Sequence, residues 1–304
     1  MDQRIKEAER ELETLNDVIR WAVSHFNEAG VFLGHGTDNM WDEAIALVLP
    51  TLHLHYDLPD VAWQARLTRS EVLLLIEVIL RRINERIPSA YITNKARFAG
   101  LSFYVDQRVL VPRSPIAELI EKRFSPWLVQ DHAAHILDLC TGSGCIAIAA
   151  AHYFPEAQVD AVDICQRALE VAALNIEKYR LQDRVHLYPG DLFDALPEKN
   201  QQYDLIISNP PYVDAEDMRT LPTEYTHEPS LGLAGGEDGL LIVQKILTEA
   251  KAYLKPEGVL VIEVGNSESA LMEYYPHVPF TWLDFERGGG GVFILTYEDL
   301  IQNF

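Results

Sequence analysis

The residues best placed to do chemistry are Asn209, Pro210, Pro211 and Tyr212, which follow the run YDLIIS at residues 203–208. That run is short, apolar and rich in β-formers, the pattern of a buried strand. Two successive prolines cannot continue a central strand, because neither can donate to a sheet ladder. Asn209 is therefore expected at a strand's carboxyl end, where open α/β sheets bind their ligands. Its side chain offers one acceptor and two donors in a plane. The prolines stiffen the turn and leave its carbonyls without a sheet partner, and Tyr212 supplies a flat face. Together these groups suit a planar substrate carrying –NH2, whose two N–H bonds need two acceptors. Asn209, Pro210 and Tyr212 are the candidate catalytic residues, and Pro211 completes the substrate-binding turn. The same string also reads as a rigid strand exit with no chemistry of its own.

A second motif, HILDLCTGSGCIAIAAA at residues 135–151, reads as strand, glycine turn and helix. His135 to Leu139 is the strand, with Asp138 near its end. Gly142 and Gly144 allow a tight turn and close approach of the backbone to a ligand, and the alanines that follow form a closely packed helix. The signal is ambiguous alone. Gly142-x-Gly144-x-x-Ala147 also fits a dinucleotide fingerprint, with Asp163 at the end of the next strand, QVDAVD, available to a ribose. A NAD-dependent oxidoreductase is a rival reading of this segment, as is a cofactor-binding module without catalysis, although either leaves the NPPY string idle.

The elements around these motifs narrow the choice. After Asp163 come a helix from Gln166 to Tyr179 and a strand, RVHLYPGDLF, that runs out at Asp191; NPPY ends the strand after that. Polar residues thus fall at successive strand ends: Asp138 with the glycines, Asp163, Asp191 and Asn209. This layout resembles that of class I S-adenosylmethionine-dependent methyltransferases, and NPPY resembles the signature of the amide and amino methyltransferases among them. The resemblance implies a cofactor site in which Asp138, Thr141, Gly142, Ser143, Gly144 and Cys145 lie against the methionine end of S-adenosyl-L-methionine. It further implies that Asp163 takes the ribose hydroxyls, that Asp191 and Leu192 border the adenine, and that Asn209 faces the group to be methylated. The product would be S-adenosyl-L-homocysteine. An adenine methyltransferase of nucleic acid fits NPPY as well as an amide methyltransferase does.

Three further strings sharpen the likeness. PSAYITNKARFAGLSFYVDQRVLVPRSPIAELI (residues 88–120) resembles the hairpin linker of the HemK family, the protein-glutamine methyltransferases. In the release-factor branch of that family PR is followed by PETE, whereas here Pro112-Arg113 is followed by Ser114-Pro115-Ile116-Ala117-Glu118. GHGTDNMWDEA (residues 34–44) and EVGNSESALMEYYPHVPFTWLDFERGGGGVFILT (residues 263–296) are similar to the branch that acts on large-subunit ribosomal protein three. The resemblance implies a methyl transfer to a glutamine side-chain amide. The Asn209 oxygen and the Pro210 carbonyl would accept the two amide hydrogens, Tyr212 would pack on the amide plane, and the proton would leave to water. Glu228, before Pro229, resembles a family element that closes over the pocket. Arg113 precedes the first helix of the catalytic domain, where it could bind a carboxylate or pair with Glu118. Both are candidate substrate-binding residues.

Composition agrees with this organisation. At 304 residues the chain is long enough for about two domains. Residues 1–87 read as a helical substrate-recognition domain, with Ile5, Ala8, Leu12, Leu15 and Ile19 at helical spacing and Thr68-x-x-Glu71 as a capping box. Residues 88–112 alternate like strands and read as a β-hairpin linker, with FYVDQRVLVP half-buried. Ser114-Pro115 then reads as N-cap and first helical position. Residues 113–304 alternate strands and helices, closing with GVLVIEV and a hairpin whose tip is Gly288 to Gly291. The expected fold is a seven-stranded, mostly parallel Rossmann-like sheet with an antiparallel carboxyl-terminal hairpin, preceded by a small helical domain.

The longest apolar runs, VLLLIEVIL and CIAIAAA, are far short of the ~20 residues that span a bilayer, so no membrane partner is expected. The charged amino terminus is no signal peptide. Cys140, Cys145 and Cys165, an odd count, point to reduced thiols and a cytoplasmic setting. Their spacing fits no metal pattern, and His53-x-His55 with Asp57 reads as a surface cluster, so no metal is expected. The formal charge is −21, from 25 basic and 46 acidic residues. A nucleic-acid enzyme would need a basic stripe to meet phosphates, and none is visible. A negative surface favours a basic protein partner, such as a ribosomal protein. The loop from Val213 to Ser230 sets Asp214, Glu216, Asp217, Glu224 and Glu228 against Arg219 alone.

Overall fold

The computed structural model describes residues 2–128, 133–197 and 201–304. The chain divides into two compact units, one of Met1–Ala96 with Val105–Gln107 and Pro222–His227, the other of Arg97–Tyr104, Arg108–Leu221 and Glu228–Phe304.

The first unit is helical: α1 (Asp2–Glu11), α2 (Leu15–Glu28), α3 (Met40–Thr51), α4 (Asp60–Trp63), α5 (Arg69–Glu85) and α6 (Ser89–Thr93). The spacing from Ile5 to Ile19 is helical in sequence, yet the chain breaks between α1 and α2. Thr14 is extended and accepts from the Asp17 amide while Asp17 accepts from the Thr14 amide, a reciprocal cap that starts a new helix. Thr68 and Glu71 open α5 in the same way. Val18, Ile19 and Phe26 of α2, Leu47 and Val48 of α3, and Leu75 and Ile79 of α5 form the core. A cluster of charges is buried among them. Arg82 donates to Glu43 at 2.6 Å, to Glu224 at 3.4 Å and to the Phe32 carbonyl at 2.8 Å. Glu224 also accepts from the Phe32 amide at 3.0 Å, which is why Pro222–His227 folds with this unit although it follows NPPY in sequence.

A two-stranded sheet of β1 (Ala96–Phe98) and β2 (Leu101–Phe103) follows α6 in the chain. The strand-like reading of FYVDQRVLVP holds only to Phe103. Beyond it, the Tyr104 amide and carbonyl are both taken by the Asn175 side chain, and the Val111 amide by Glu228, so no ladder forms. Helix α7 (Ile116–Glu121) starts one residue later than Ser114-Pro115 implies, with Pro115 at the N-cap.

The main sheet contains β3 (His135–Leu139), β4 (Gln158–Asp163), β5 (Val185–Pro189), β6 (Tyr203–Ser208), β7 (Leu254–Glu263), β8 (Thr281–Trp282) and β9 (Val292–Thr296). Helices α8 (Cys145–Tyr153), α9 (Gln166–Tyr179), α10 (Asp217–Thr220), α11 (Leu241–Glu249), α12 (Glu268–Tyr274) and α13 (Tyr297–Asn303) connect or follow the strands. Strand order is β5-β4-β3-β6-β7-β9-β8. The first five run parallel, and β9 is antiparallel to both neighbours. The chain winds outward from β3 to β5 and then returns to lay β6 on the other side of β3, so a topological switch falls between β3 and β6, where such sheets place their ligands. Every β6 residue from Leu205 to Ser208 is buried, as expected of a strand covered on both faces. Among the described residues no helix is long and apolar enough to cross a membrane, and no group of three or more His, Cys, Asp or Glu side chains is arranged to hold a metal ion.

Candidate active site

The switch point joins the two motifs. Ser208, the last residue of β6, donates its hydroxyl to the Leu139 carbonyl at the end of β3 at 2.9 Å. The NPPY turn and the glycine turn therefore leave the sheet side by side.

Asp138 organises the glycine turn from within. It is fully buried, and its Oδ2 accepts from the Thr141 hydroxyl at 2.5 Å and from the Ala147 amide at 3.0 Å. A carboxylate thereby satisfies one of the free N–H groups in the first turn of α8. Its Oδ1 is buried with no hydrogen-bond partner among the described residues. Burial, with Asp163 adding a like charge, pushes the Asp138 carboxyl up to about 7. Gly142 and Gly144 have φ of +55° and +77°, the left-handed region that side chains disfavour. A Cβ on Gly142 would meet nothing within 4 Å, so this side of the turn is open, whereas one on Gly144 would come within 3.1 Å of Ala172 in α9. Ser143 is buried, and its carbonyl accepts from Asn175 at 2.9 Å. Burial holds the Cys140 thiol well above its ordinary range and raises the Cys145 thiol to about 12, so both stay protonated.

Asp163 ends β4 and fixes the turn from the other side. Its Oδ2 accepts from the Gly142 amide and its Oδ1 from the Cys165 amide, both at 2.8 Å. Each oxygen keeps a second lone pair free for a hydroxyl. Its carboxyl is raised above the ordinary value by burial. Asp191 lies just past β5, half-exposed, and pairs with Lys245 of α11 at 3.1 Å. Leu192 next to it is buried with φ of +48°.

At the NPPY turn the side chain of Asn209 makes no hydrogen bond to any described residue, and the Pro210 carbonyl accepts none. Two acceptors are thus available at the strand end. Tyr212 is anchored instead. Its hydroxyl donates to Glu263 Oε1 at 2.9 Å, and its carbonyl accepts from Ser267 at 2.9 Å. Its ring lies on Gly265, where an added Cβ would come within 2.5 Å of the ring edge. The amide of Val264 donates to the Gly291 carbonyl at 2.7 Å, so the glycine-rich tip of the final hairpin backs this arrangement.

Arg113 and Glu228 occupy one another. The guanidinium donates to both carboxylate oxygens, at 2.7 and 2.9 Å, and Glu228 also takes the Val111 amide at 2.9 Å. The alternative pairing of Arg113 with Glu118 does not occur, because Glu118 accepts the Glu286 and Arg287 amides at 3.2 and 2.8 Å.

Sequence reasoning overlooked Glu263. It ends β7, is buried, and accepts hydroxyls from Tyr212 and Ser114. Burial raises its carboxyl above the ordinary value against the opposing pull of those two hydroxyls and of Arg113. The available signal was an acid closing the otherwise apolar run VLVIE at residues 259–263.

The sheet order, the switch between β3 and β6 and the antiparallel β7–β9–β8 edge define a class I, Rossmann-like methyltransferase fold. Residues 122–224 match the model of the methyltransferase small domain. A methyltransferase from Pyrococcus furiosus aligns with a TM-score of 0.47 and 17% identity over 76% of this chain and 99% of its own. Two curated relatives are far more similar. The ribosomal protein uL3 glutamine methyltransferase of Neisseria gonorrhoeae is 51% identical over 97% of this chain and 98% of its own length. Its namesake from Neisseria meningitidis serogroup A is 50% identical over 97% of both. The chain belongs to the ribosomal protein uL3 glutamine methyltransferase family.

Proposed function

We propose that this protein transfers a methyl group from S-adenosyl-L-methionine to the side-chain amide nitrogen of a glutamine in ribosomal protein uL3, with S-adenosyl-L-homocysteine as the other product. The observation that carries this reading is the likeness, at 51% identity over 97% of the chain, to a relative bearing that name. A basic ribosomal protein as substrate fits the net charge of −21, and such a substrate implies a cytoplasmic enzyme.

The residues fit the cofactor. A buried oxygen of the Asp138 carboxyl has no hydrogen-bond partner among the described residues, beside a glycine turn that is open on one side. An electron-rich, unsatisfied oxygen there suits a ligand that carries an ammonium and a sulfonium charge. Asp138, Thr141, Gly142, Ser143, Gly144 and Cys145 would hold its methionine end, Asp163 its ribose hydroxyls, and Asp191 and Leu192 its adenine. When bound, it supplies a methyl group already activated by positive charge on sulfur.

The remaining work is orientation. An amide nitrogen is a weak nucleophile because its lone pair is shared with the carbonyl. The two acceptors at the strand end that no described residue occupies, Asn209 Oδ1 and the Pro210 carbonyl, would take the two amide hydrogens. They fix the plane of the amide and favour positive charge as it develops on nitrogen. Tyr212 packs on that plane. No histidine or carboxylate lies in the motif itself, so the proton is released to water. Incubation of the purified protein with radiolabelled S-adenosylmethionine, uL3 and ribosomal RNA tests the reading. Label in a single glutamine-containing peptide of uL3, located by mass spectrometry, is expected; label in RNA, or in no fraction, overturns it.

A further inference from the structure

We propose that Glu263 is a positioning residue for the methyl transfer, holding the Tyr212 ring in one plane by accepting its hydroxyl. The inference rests on the proposed role of Tyr212 as the face on which the amide packs.

The observation is a convergence on one buried carboxylate. Glu263 Oε1 accepts from Tyr212 at 2.9 Å and Oε2 accepts from Ser114. Ser114 in turn accepts from the Ile116 amide at 3.2 Å, at the start of α7. Glu263 therefore ties the end of β7, the turn after β6 and the start of α7 to a single side chain. Burial removes competition from water, so hydrogen bonds to this carboxyl hold more firmly than exposed ones.

The phenol is thereby committed. A tyrosine whose hydroxyl is bound at the strand end and whose ring edge rests on Gly265 has its χ1 and χ2 fixed, so it presents one face to the pocket. Freed of that bond, the ring could swing or tilt about Cβ, and the substrate amide would lose part of its alignment. Misalignment costs turnover far more than binding, because the in-line geometry is needed only as the bond forms. Tyr212→Phe removes the hydroxyl and keeps the ring. Glu263→Met keeps the length of the side chain and removes both acceptors.

Two measurements decide the matter. In protein labelled with 13C at the tyrosine ring, the Tyr212 Cζ signal, assigned by its loss in Tyr212→Phe, should be a single sharp line in the parent and shifted and broadened in Glu263→Met, as the ring samples more than one tilt. This arm needs no substrate, so it stands even if uL3 is not methylated. With uL3 as substrate, each single variant should lower kcat by about tenfold to a hundredfold, with KM changed by less than about threefold. The double variant should be within about twofold of the worse single, because both substitutions remove the same bond. Calorimetric affinity for S-adenosylmethionine serves as the folding control. An unchanged Tyr212 Cζ signal in Glu263→Met, or losses that multiply in the double variant, would overturn the proposal; failure of the parent to methylate uL3 would instead overturn the substrate assignment.

Discussion

Arg113 and Glu228 lie 115 residues apart in sequence and form a two-pronged ion pair whose carboxylate is sealed from solvent while the guanidinium is 25% exposed. Both were candidates to contact substrate directly. Their mutual geometry gives them a different immediate task. Arg113 spends both terminal nitrogens on Glu228, and Glu228 adds the Val111 amide. The pair pins the segment after NPPY to the chain that leads into α7.

Breaking a buried pair by removing one partner strands the other charge, at a cost of about 3–5 kcal/mol. Arg113→Ala is therefore expected to lower Tm by several degrees, and Arg113→Lys to rescue only part of it, because an ammonium cannot reproduce the fork. Differential scanning calorimetry checks this. An unchanged Tm with a raised KM would restore a direct substrate role to Arg113.

Legibility from sequence tracks how local the cause is. The glycine turn, the Asp163 strand end and the NPPY exit follow from period-two apolar runs stopped by Gly or Pro, and each lies where the chain places it. Helix α9 matches its reading from Gln166 to Tyr179 to the residue. The break at Thr14 was hidden because helical spacing continues across it, and only the Thr14–Asp17 cap marks it. The irregular path from Tyr104 to Pro112 was read as strand because its partners, Asn175 and Glu228, are distant in sequence. Glu263 was missed for the same reason: its meaning depends on Tyr212 and Ser114 arriving beside it.

Asp138 makes stability depend on pH with a defined sign. Unfolded, its pKa is about 4; folded, burial raises it to about 7. Between these values the native state holds the proton and the unfolded state does not, so stability falls as pH rises through the window and levels off above it. The slope is on the order of 1 kcal/mol per pH unit. Asp138→Asn keeps an acceptor for Thr141 and Ala147 without the charge. The difference in Tm between Asp138→Asn and the parent should therefore grow from about pH 4 to about pH 7. A constant difference across that range would remove the assignment.

Gly142→Val should abolish binding of S-adenosylmethionine. At φ +55° a β-branched residue is strained, and its side chain would fill the open side of the turn. Isothermal calorimetry on the purified variant, with circular dichroism to confirm folding, reads the loss. Tight NAD binding by the parent, with no S-adenosylmethionine binding, would sink the cofactor assignment.

Asn209→Ala should leave cofactor affinity within about tenfold while lowering kcat by about a hundredfold, the cost of one transition-state contact. Its side chain holds nothing else in place among the described residues, so Tm should stay near that of the parent. Asn209→Asp retains an acceptor but adds a negative charge, and impaired rather than unchanged turnover is expected. Near-normal kcat for Asn209→Ala on uL3 would refute amide orientation by this residue.

The acidity of the loop after NPPY has a smaller free component than its sequence implies. Glu224 is taken by the Phe32 amide and Arg82, and Glu228 by Arg113. Asp214 accepts the Glu216 and Asp217 amides, each at 2.8 Å. Glu216, exposed, and Asp217, partly buried, are the acids of the loop whose carboxylates no described residue holds. Excising residues 1–87 to test recognition would strand the buried Glu224, so a point reversal is the cleaner probe. We expect Glu216→Lys to raise the KM for uL3 by about threefold at low salt, through lost attraction to a basic partner. The gap to the parent should close as salt rises, since screening shortens to ~8 Å at 0.15 M. The parent's own KM should rise over the same series, carried by the net charge of −21. Steady-state methylation across a salt titration measures both. A KM indifferent to salt in the parent would dispose of acidic steering, and a Glu216→Lys defect that persists at high salt would mark a direct contact in its place.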